Sequence, residues 1–177
     1  ARLFYMDGIN AIFAVAAIYA ATVFGMSTTD IIMLGIGTNF AAGIGSWVFS
    51  FIENKIGSKN IIVFSLICIF IISFAILLIN QKNTFIILAI CLSTFFGPIQ
   101  SASRVYFAKF IPDEKKYEFF GFYSFSGKVT SFIGPILFGT ISYTFSSPKL
   151  GMASLLVLFA VGLLILTKVE NDRRIEK

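Results

Sequence analysis

The stretch Gly97–Pro135, GPIQSASRVYFAKFIPDEKKYEFFGFYSFSGKVTSFIGP, determines how the rest of the chain is interpreted, because it places cations inside apolar sequence. Arg104 and Lys128 each lie within a long apolar run, where an ionisable side chain costs about 2.5–3.5 kcal/mol on membrane-insertion scales. Such a cation needs a counter-charge, a water-filled cavity, or both. Between the two runs, residues 108–118 form a charged loop, and Pro112 followed by acidic residues predicts the start of a helix.

The composition of the whole chain predicts a membrane protein. Hydrophobic residues make up 57% and charged residues 13% of the 177 residues, and the mean hydropathy is +0.89. In soluble proteins, about a quarter of the residues are charged. The 22 phenylalanines, and the lack of a basic cluster outside short loops, indicate that the net charge of +5 orients the chain in a membrane. We therefore expect the lipid bilayer, and not a nucleic acid, as a partner.

The sequence offers no residues for metal or cofactor chemistry. It holds no histidine, and Cys68 and Cys91 both fall inside apolar runs, which leaves no plausible zinc or haem ligand set. We also find no nucleophile with a matching base and no phosphate-binding loop. The prediction is a protein without metal or cofactor that is not an enzyme. The start at Ala1, without an initiator methionine, predicts that further sequence lies upstream.

Six apolar runs divide the chain, and each is long enough to cross a bilayer. They cover residues 3–24, 31–52, 61–79, 84–107, 119–145 and 150–167. At about 1.5 Å per residue, each helix would span a hydrocarbon core of roughly 30 Å. The runs lack the alternation of membrane β-strands. The predicted fold class is therefore an all-α membrane protein with six transmembrane helices.

The lysines and arginines fall unevenly on the two sides of this arrangement. One side holds only Lys82 and Lys149. Because positively charged loops stay in the cytoplasm, the richer side is predicted to be cytoplasmic and to hold both termini. The membrane predicted for such a chain is the bacterial inner membrane. The ten cations on the richer side are Arg2, Lys55, Lys59, Lys109, Lys115, Lys116, Lys168, Arg173, Arg174 and Lys177.

The differences among the six runs repeat in threes. The third and sixth runs contain almost nothing polar, as expected of lipid-facing helices. The second and fifth carry rows of small residues, which let helices approach closely in lipid. The first and fourth carry polar residues that are expected to line a cavity. Consecutive three-helix units are inverted in the membrane, as in transporter repeats. The cavity candidates are Asp7 and Asn10 in the first run, and Gln100, Ser101, Ser103 and Arg104 in the fourth.

The rows of small residues predict contact with a partner, because six helices cannot bury all of these faces among themselves. We expect the partner to be an N-terminal transporter half or a second copy of the chain. In the second run the row is Gly35, Asn39, Ala42, Ser46 and Ser50, with Gly37, Ala41 and Gly45 alongside; in the fifth it is Gly121, Ser124, Lys128, Ser131, Pro135 and Gly139.

Three side chains carry the sharpest hypotheses about a pathway. Asp7 and Arg104 lie at matched depth, about 7 Å inside the cytoplasmic face, which permits an ion pair that is either static or switched during transport. Lys128 lies roughly 18 Å along its helix, near the middle of the membrane. We expect it to face a hydrated pathway and attract an anionic group; the alternatives are a lysine bonded to carbonyls freed near Pro135, or a proton carrier. Asn39 and Tyr123 complete the pathway candidates.

Several stretches of the chain resemble the major facilitator superfamily. They are RLFYMDG at 2–8, FIENKIGSK at 51–59, GPIQSASR at 97–104, and EFFGFY at 118–123 followed by SGK at 126–128. They are similar to the C-terminal half of the unknown-major-facilitator family, relatives of the autophagy-related vacuolar effluxers. The resemblance implies a transporter that moves a small solute, an amino acid or another small organic anion, by alternating access, with or without a coupled proton.

The loop after the second run departs from the superfamily pattern of an aspartate followed by Arg-x-Gly-Arg. Asn54 occupies the acidic place and Ser58 stands where a basic residue is common, so we expect Glu53 to make the gating contact. A glutamate at a helix C-terminus is disfavoured by the dipole, so it needs compensation from a lysine or from another helix N-terminus. The alternative is an ordinary positive loop. The gating candidates are Glu53, Asn54, Lys55, Gly57 and Lys59.

Two other functions stay open beside transport. One is a homo-oligomeric channel, which the absence of a filter-like loop disfavours. The other is a membrane scaffold that moves no solute. Gly134-Pro135, inside the fifth run, is expected to kink that helix.

The predicted orientation can be tested with single cysteines in a chain otherwise free of cysteine. We expect Thr28, Asn83 and Ser147 to be outside and Ser58 and Glu114 inside, because the cations cluster on the inner side. An impermeant thiol reagent applied to intact cells should label only the outside sites. Labelling at Ser58 without labelling at Asn83 would contradict this topology.

Overall fold

The structure, a computed structural model, describes residues 1–169 except for the side chains of Asp113 and Lys116. All regular structure in this range is helical, which confirms the all-α class. Arg173, Arg174 and Lys177 of the orientation argument lie outside the described residues. The elements are α1 Arg2–Phe24, α2 Thr28–Ile56, α3 Ser58–Leu78, α4 Lys82–Ala108, a 3-10 turn Asp113–Lys115, α5 Lys116–Val129, α6 Ile133–Thr144 and α7 Pro148–Thr167.

Local signals in the sequence account for most helix ends. Gly25 adopts the left-handed conformation that terminates α1, with φ of 60°. Ser27 and Asp30 form a capping box at the start of α2. Gly57, with φ of 85°, makes the tight turn between α2 and α3. Ser147 caps α7, whose first residue is a proline.

In the described range, α1, α2, α3, α4 and α7 are long and apolar enough to span a membrane. The prediction of one kinked helix over 119–145 is wrong. That run is divided into α5 and α6, which the turn Thr130–Phe132 separates. Each of the two helices is too short to span alone. The prediction of six spanning helices in two inverted repeats is therefore not established.

Pro135 accounts for the break, because it has no N–H to donate to the Ser131 carbonyl four residues earlier, and two hydroxyl groups bond to the backbone beside it. The Thr130 hydroxyl donates a hydrogen bond to the Ser126 carbonyl. The Ser131 hydroxyl donates one to the Lys128 carbonyl at 2.8 Å. Such bonds compete with the helical ladder. A proline clashes with the preceding turn when it lies inside a helix. In the first turn of α6, Pro135 avoids that clash.

The core of the described chain is formed by α1, α3, α4 and α7, with Phe138 of α6. Tyr19, Phe96 and Phe159 are among its largest fully buried side chains. The third and sixth runs, expected to face lipid, are each exposed along one side only. Their opposite sides are buried in the core. The exposed apolar stripes are Phe64, Ile67, Ile71, Phe74 and Leu78 on α3, and Leu150, Val157 and Leu164 on α7.

The helices α2 and α4 approach each other closely at two glycines. A Cβ added to Gly45 would overlap the Thr94 carbonyl oxygen, and one added to Gly97 would overlap the carbonyl oxygen of Ala42. Glycine is therefore the residue that lets these two backbones touch. Gly45 is buried within this chain, whereas Asn39 and Ser50 of the α2 row are exposed, and the need for a partner stays a prediction. In the fifth run, Gly121, Ser124, Lys128 and Gly139 are exposed.

We predict that Gly45→Ala destabilises the chain and that Gly43→Ala does not. The added methyl at Gly45 meets a backbone oxygen that cannot move aside, and overpacking costs about 1–3 kcal/mol. The same methyl at Gly43 meets nothing within 4 Å. The midpoint of thermal unfolding in detergent would measure the difference. Equal midpoints for the two variants would show that the α2–α4 contact is looser than described.

Candidate functional site

The first turn of α6 lies inside a broken helix, so its backbone donors need partners. The Ile133 N–H donates to the Thr130 carbonyl at 3.0 Å, and the Ile136 N–H to the Phe132 carbonyl at 3.1 Å. Pro135 has no N–H to satisfy. No side chain of α6 or of the preceding turn caps the helix. One donor of the first turn therefore needs a partner from elsewhere in the chain.

That donor is the Gly134 N–H, and Asp7 of α1 accepts its hydrogen bond. The distance from the Gly134 nitrogen to Oδ2 of Asp7 is 2.9 Å. A Cβ at Gly134 would overlap the Cβ of Ala11, so the missing side chain lets α6 begin directly against α1. An anion at a helix N-terminus is stabilised by the helix dipole. Asp7 therefore acts as an N-terminal cap for α6 from a different helix.

Asp7 is 2% exposed, and its second oxygen, Oδ1, has no hydrogen-bond partner among the described residues. The ion pair hypothesised between Asp7 and Arg104 is absent. Arg104 is exposed and forms no ion pair with a described residue. Matched depth along two helices does not fix the direction in which each side chain points, and Asp7 points toward α6.

Arg2 joins the start of α1 to α5. Its Nη1 donates to the Tyr123 carbonyl at 2.8 Å and lies 3.4 Å from the Ser126 hydroxyl oxygen. Its Cζ lies 3.2 Å from the centroid of the Tyr123 ring, which is a cation–π contact. Tyr123, a predicted pathway residue, is buried beneath this guanidinium. Arg2 and Tyr123 are 121 positions apart in the chain, and no pattern in the sequence indicates this contact.

The loop between α2 and α3 contains the glutamate that was expected to need compensation. Oε1 of Glu53 accepts a hydrogen bond from the hydroxyl of Ser58, the first residue of α3, at 2.6 Å. The partner is thus at a helix N-terminus and is not a lysine. Lys59 is 9% exposed and donates instead to the Val169 carbonyl beyond α7. Asn54 and Lys55, the two other polar candidates of the loop, are exposed.

A cavity of about 280 Å³ lies between α1, α2, α3 and α4, with Met152 of α7 at its wall. Among the described residues that line it, none is charged. Asn39 is the one predicted pathway residue in this lining, and its amide donates to the Gly35 carbonyl. The hydroxyls of Tyr19 and Ser73, which also line the cavity, have no hydrogen-bond partner in the described chain. No pattern in the sequence predicts this space.

The other predicted pathway residues do not converge on one point. Asn10 and Gln100 are half-buried on α1 and α4. Lys128 is exposed at the end of α5. Lys82 forms an ion pair with Asp30 at 2.6 Å, which joins the start of α4 to the start of α2.

We predict that Ser58→Ala lowers the stability of the chain more than Asn54→Ala does. Without the hydroxyl, the Glu53 carboxylate loses the bond that compensates it, and a hydrogen bond to a charged group contributes about 1.5–3 kcal/mol. Asn54 is exposed in the same loop and serves as the matched control. Chemical unfolding in detergent, followed by circular dichroism, measures both. An unchanged midpoint for Ser58→Ala would contradict the role of this bond.

Comparison with known proteins gives a family and several relatives. The profile of a family described as "Vacuole effluxer Atg22 like" matches residues 1–177. The uncharacterized MFS-type transporter YxiO of Bacillus subtilis (strain 168) is 28% identical over 172 residues, which is 97% of this chain and 40% of YxiO. Autophagy-related protein 22 of Cryptococcus neoformans is 27% identical over 189 residues, 98% of this chain and 35% of that protein.

A further relative is autophagy-related protein 22 of Vanderwaltozyma polyspora, 31% identical over 147 residues. No solved structure matches the chain. The chain spans 40% or less of the length of these relatives. The family match covers every residue of the chain, including the four stretches on which the resemblance was based. The chain therefore belongs to the Atg22-like vacuole effluxer family.

Proposed function

We propose that this chain forms one half of a secondary transporter of major facilitator type, which moves a small solute by alternating access. One relative is named an MFS-type transporter, and the family is described as a vacuole effluxer. The relatives are more than twice as long as the segment that matches. Length and names together support a C-terminal half that works with an N-terminal half.

The observation that carries this proposal is the presence of polar side chains on exposed helix surfaces that are otherwise apolar. On α2 and on α5 with α6, the exposed side chains include large hydrophobic residues and also Asn39 and Lys128. Lipid can cover the hydrophobic ones. A lysine in hydrocarbon costs about 2.5–3.5 kcal/mol, so Lys128 needs water or protein beside it. A second half that encloses a hydrated pathway meets that need.

The proposed solute is an amino acid or another small organic anion. Arg104 on α4 and Lys128 on α5, both exposed, supply the positive charge that an anionic solute needs. The ammonium of Lys128 attracts a carboxylate in the pathway. Gln100, half-buried four positions from Arg104, offers a hydrogen-bonding amide on the same face of α4.

The proposed location is the bacterial inner membrane, with both termini in the cytoplasm. The distribution of cations supports the orientation. YxiO, from a bacterium, supports the bacterial membrane, whereas other relatives are fungal. In this orientation Arg2 and the loop around Glu53 lie at the cytoplasmic end, and the Asp30–Lys82 pair lies at the outer end.

The transport function can be tested with the full-length protein reconstituted in liposomes. Labelled amino acids and small carboxylic acids would be offered from outside, with the unlabelled solute inside. A transporter exchanges the two, so accumulation of label should saturate with concentration. Uptake that never saturates, with electrical conductance, would instead indicate a channel. Absence of both would favour a scaffold.

We predict that Lys128→Gln loses most of the uptake of an anionic solute, whereas Lys128→Arg keeps part of it. The arginine preserves the positive charge in the pathway, and the glutamine removes it. Lys115→Gln, which removes an exposed cation from the loop before α5, is the matched control and should behave as wild type. Wild-type uptake by a folded Lys128→Gln protein would remove Lys128 from the proposed pathway.

A further inference from the structure

We propose that Asp7 is a proton-binding site, and that protonation of its carboxylate loosens the start of α6 from α1. The carboxylate is 2% exposed and has one hydrogen bond, which comes from the Gly134 N–H. Its Oδ1 has no partner among the described residues. A buried carboxylate that lacks a cation can lose its charge only by taking up a proton.

The surroundings of Asp7 show that no described cation neutralises it. None of the titratable side chains on α1, or on the helices packed against α1, forms a hydrogen bond or an ion pair with its carboxylate. Arg2 and Tyr5, on the same helix, are bonded to Tyr123 and Ser103. The other groups on these elements are Tyr19 on α1; Asp30, Glu53 and Lys55 on α2; Lys82, Cys91, Arg104 and Tyr106 on α4; Tyr117, Glu118, Tyr123 and Lys128 on α5; Tyr143 on α6; and Lys149 on α7.

Protonation would change the bond that holds α6. A hydrogen bond to a carboxylate is roughly twice as strong as one to a neutral acceptor. The neutral acid also loses its attraction to the positive end of α6. The proton adds to a carboxylate oxygen, and the Gly134 N–H keeps at most a weaker bond. No other covalent change is needed.

The break between α5 and α6 is the element that can respond. The turn Thr130–Phe132 already interrupts the backbone ladder. The hydrogen bond between Asp7 and Gly134 joins α6 to α1 at this point, so its weakening lets the start of α6 move away from α1. The inference rests on the proposed transport function for its use, since a proton bound at Asp7 would be the coupling ion of the cycle.

The test uses infrared spectroscopy on the full-length protein in lipid discs, without any solute. Spectra at low and high pH should show a carbonyl band of a buried carboxylic acid that appears on acidification. Asp7→Asn should lose this band, and Asp7→Glu should shift it. Glu118→Gln, which changes an exposed acid on α5, should leave it in place. Persistence of the band in Asp7→Asn would overturn the assignment of the proton to Asp7.

A second readout follows the break itself. A spin label at Phe132→Cys, with both native cysteines replaced by serine, reports the mobility of the turn. In the spin-labelled protein that keeps Asp7, the mobility of the label should rise over the pH range in which the carbonyl band appears. Asp7→Asn should remove this pH dependence. Unchanged pH dependence in Asp7→Asn would overturn the link to α6. If Asp7→Asn does not fold, Asp7→Glu decides the matter, because band and mobility must shift together.

The two proposals fail separately in these experiments. If the protein exchanges solute but the mobility of the turn does not depend on Asp7, the transport function stands and the proton site is wrong. If the mobility depends on protonation of Asp7 but no solute is exchanged, the proton site stands and the transport function is wrong.

Discussion

A backbone N–H inside a membrane has no water to bond to, so every interruption of a helix must be compensated by the protein. The break between α5 and α6 depends on this constraint. In the first turn of α6, two N–H groups donate to backbone carbonyls, the proline has no N–H, and the remaining N–H donates to Asp7. The carboxylate of Asp7 therefore has a structural role as the cap of α6. It connects the first helix of one predicted triplet to the middle segment of the other.

The sequence predicted the class and most of the helices well, because long apolar runs and short polar loops are strong signals. The fifth run was predicted less well. Hydropathy summed over 119–145 does not register that Thr130 and Ser131 bond back to the preceding turn. It also cannot show that a carboxylate from α1 supports a new helix start. The prediction placed the irregularity at Pro135, when the break comes just before it.

For the candidate site, the sequence singled out residues but did not predict which groups they contact. Glu53, predicted as the gating residue of the loop, accepts a hydrogen bond from Ser58, and its gating role stays a prediction. Asp7 was singled out, yet its partner is a backbone amide and not Arg104. Sequence spacing gives depth along a helix and leaves rotation undetermined. The cavity left no signal because Tyr19 and Ser73 resemble ordinary core residues until their unpaired hydroxyls are seen.

The contact between α2 and α4 has a consequence for how the protein is made. These helices are separated in the chain by α3, so the groove that Gly45 opens on α2 stays empty until α4 has been synthesised and inserted. Gly45 is the one residue of α2 that is fully buried in the described chain. During biosynthesis the contact that buries it can form only after α4 has been inserted, and Gly97 completes that contact. Nascent chains that end before α4 would expose that groove to membrane quality control.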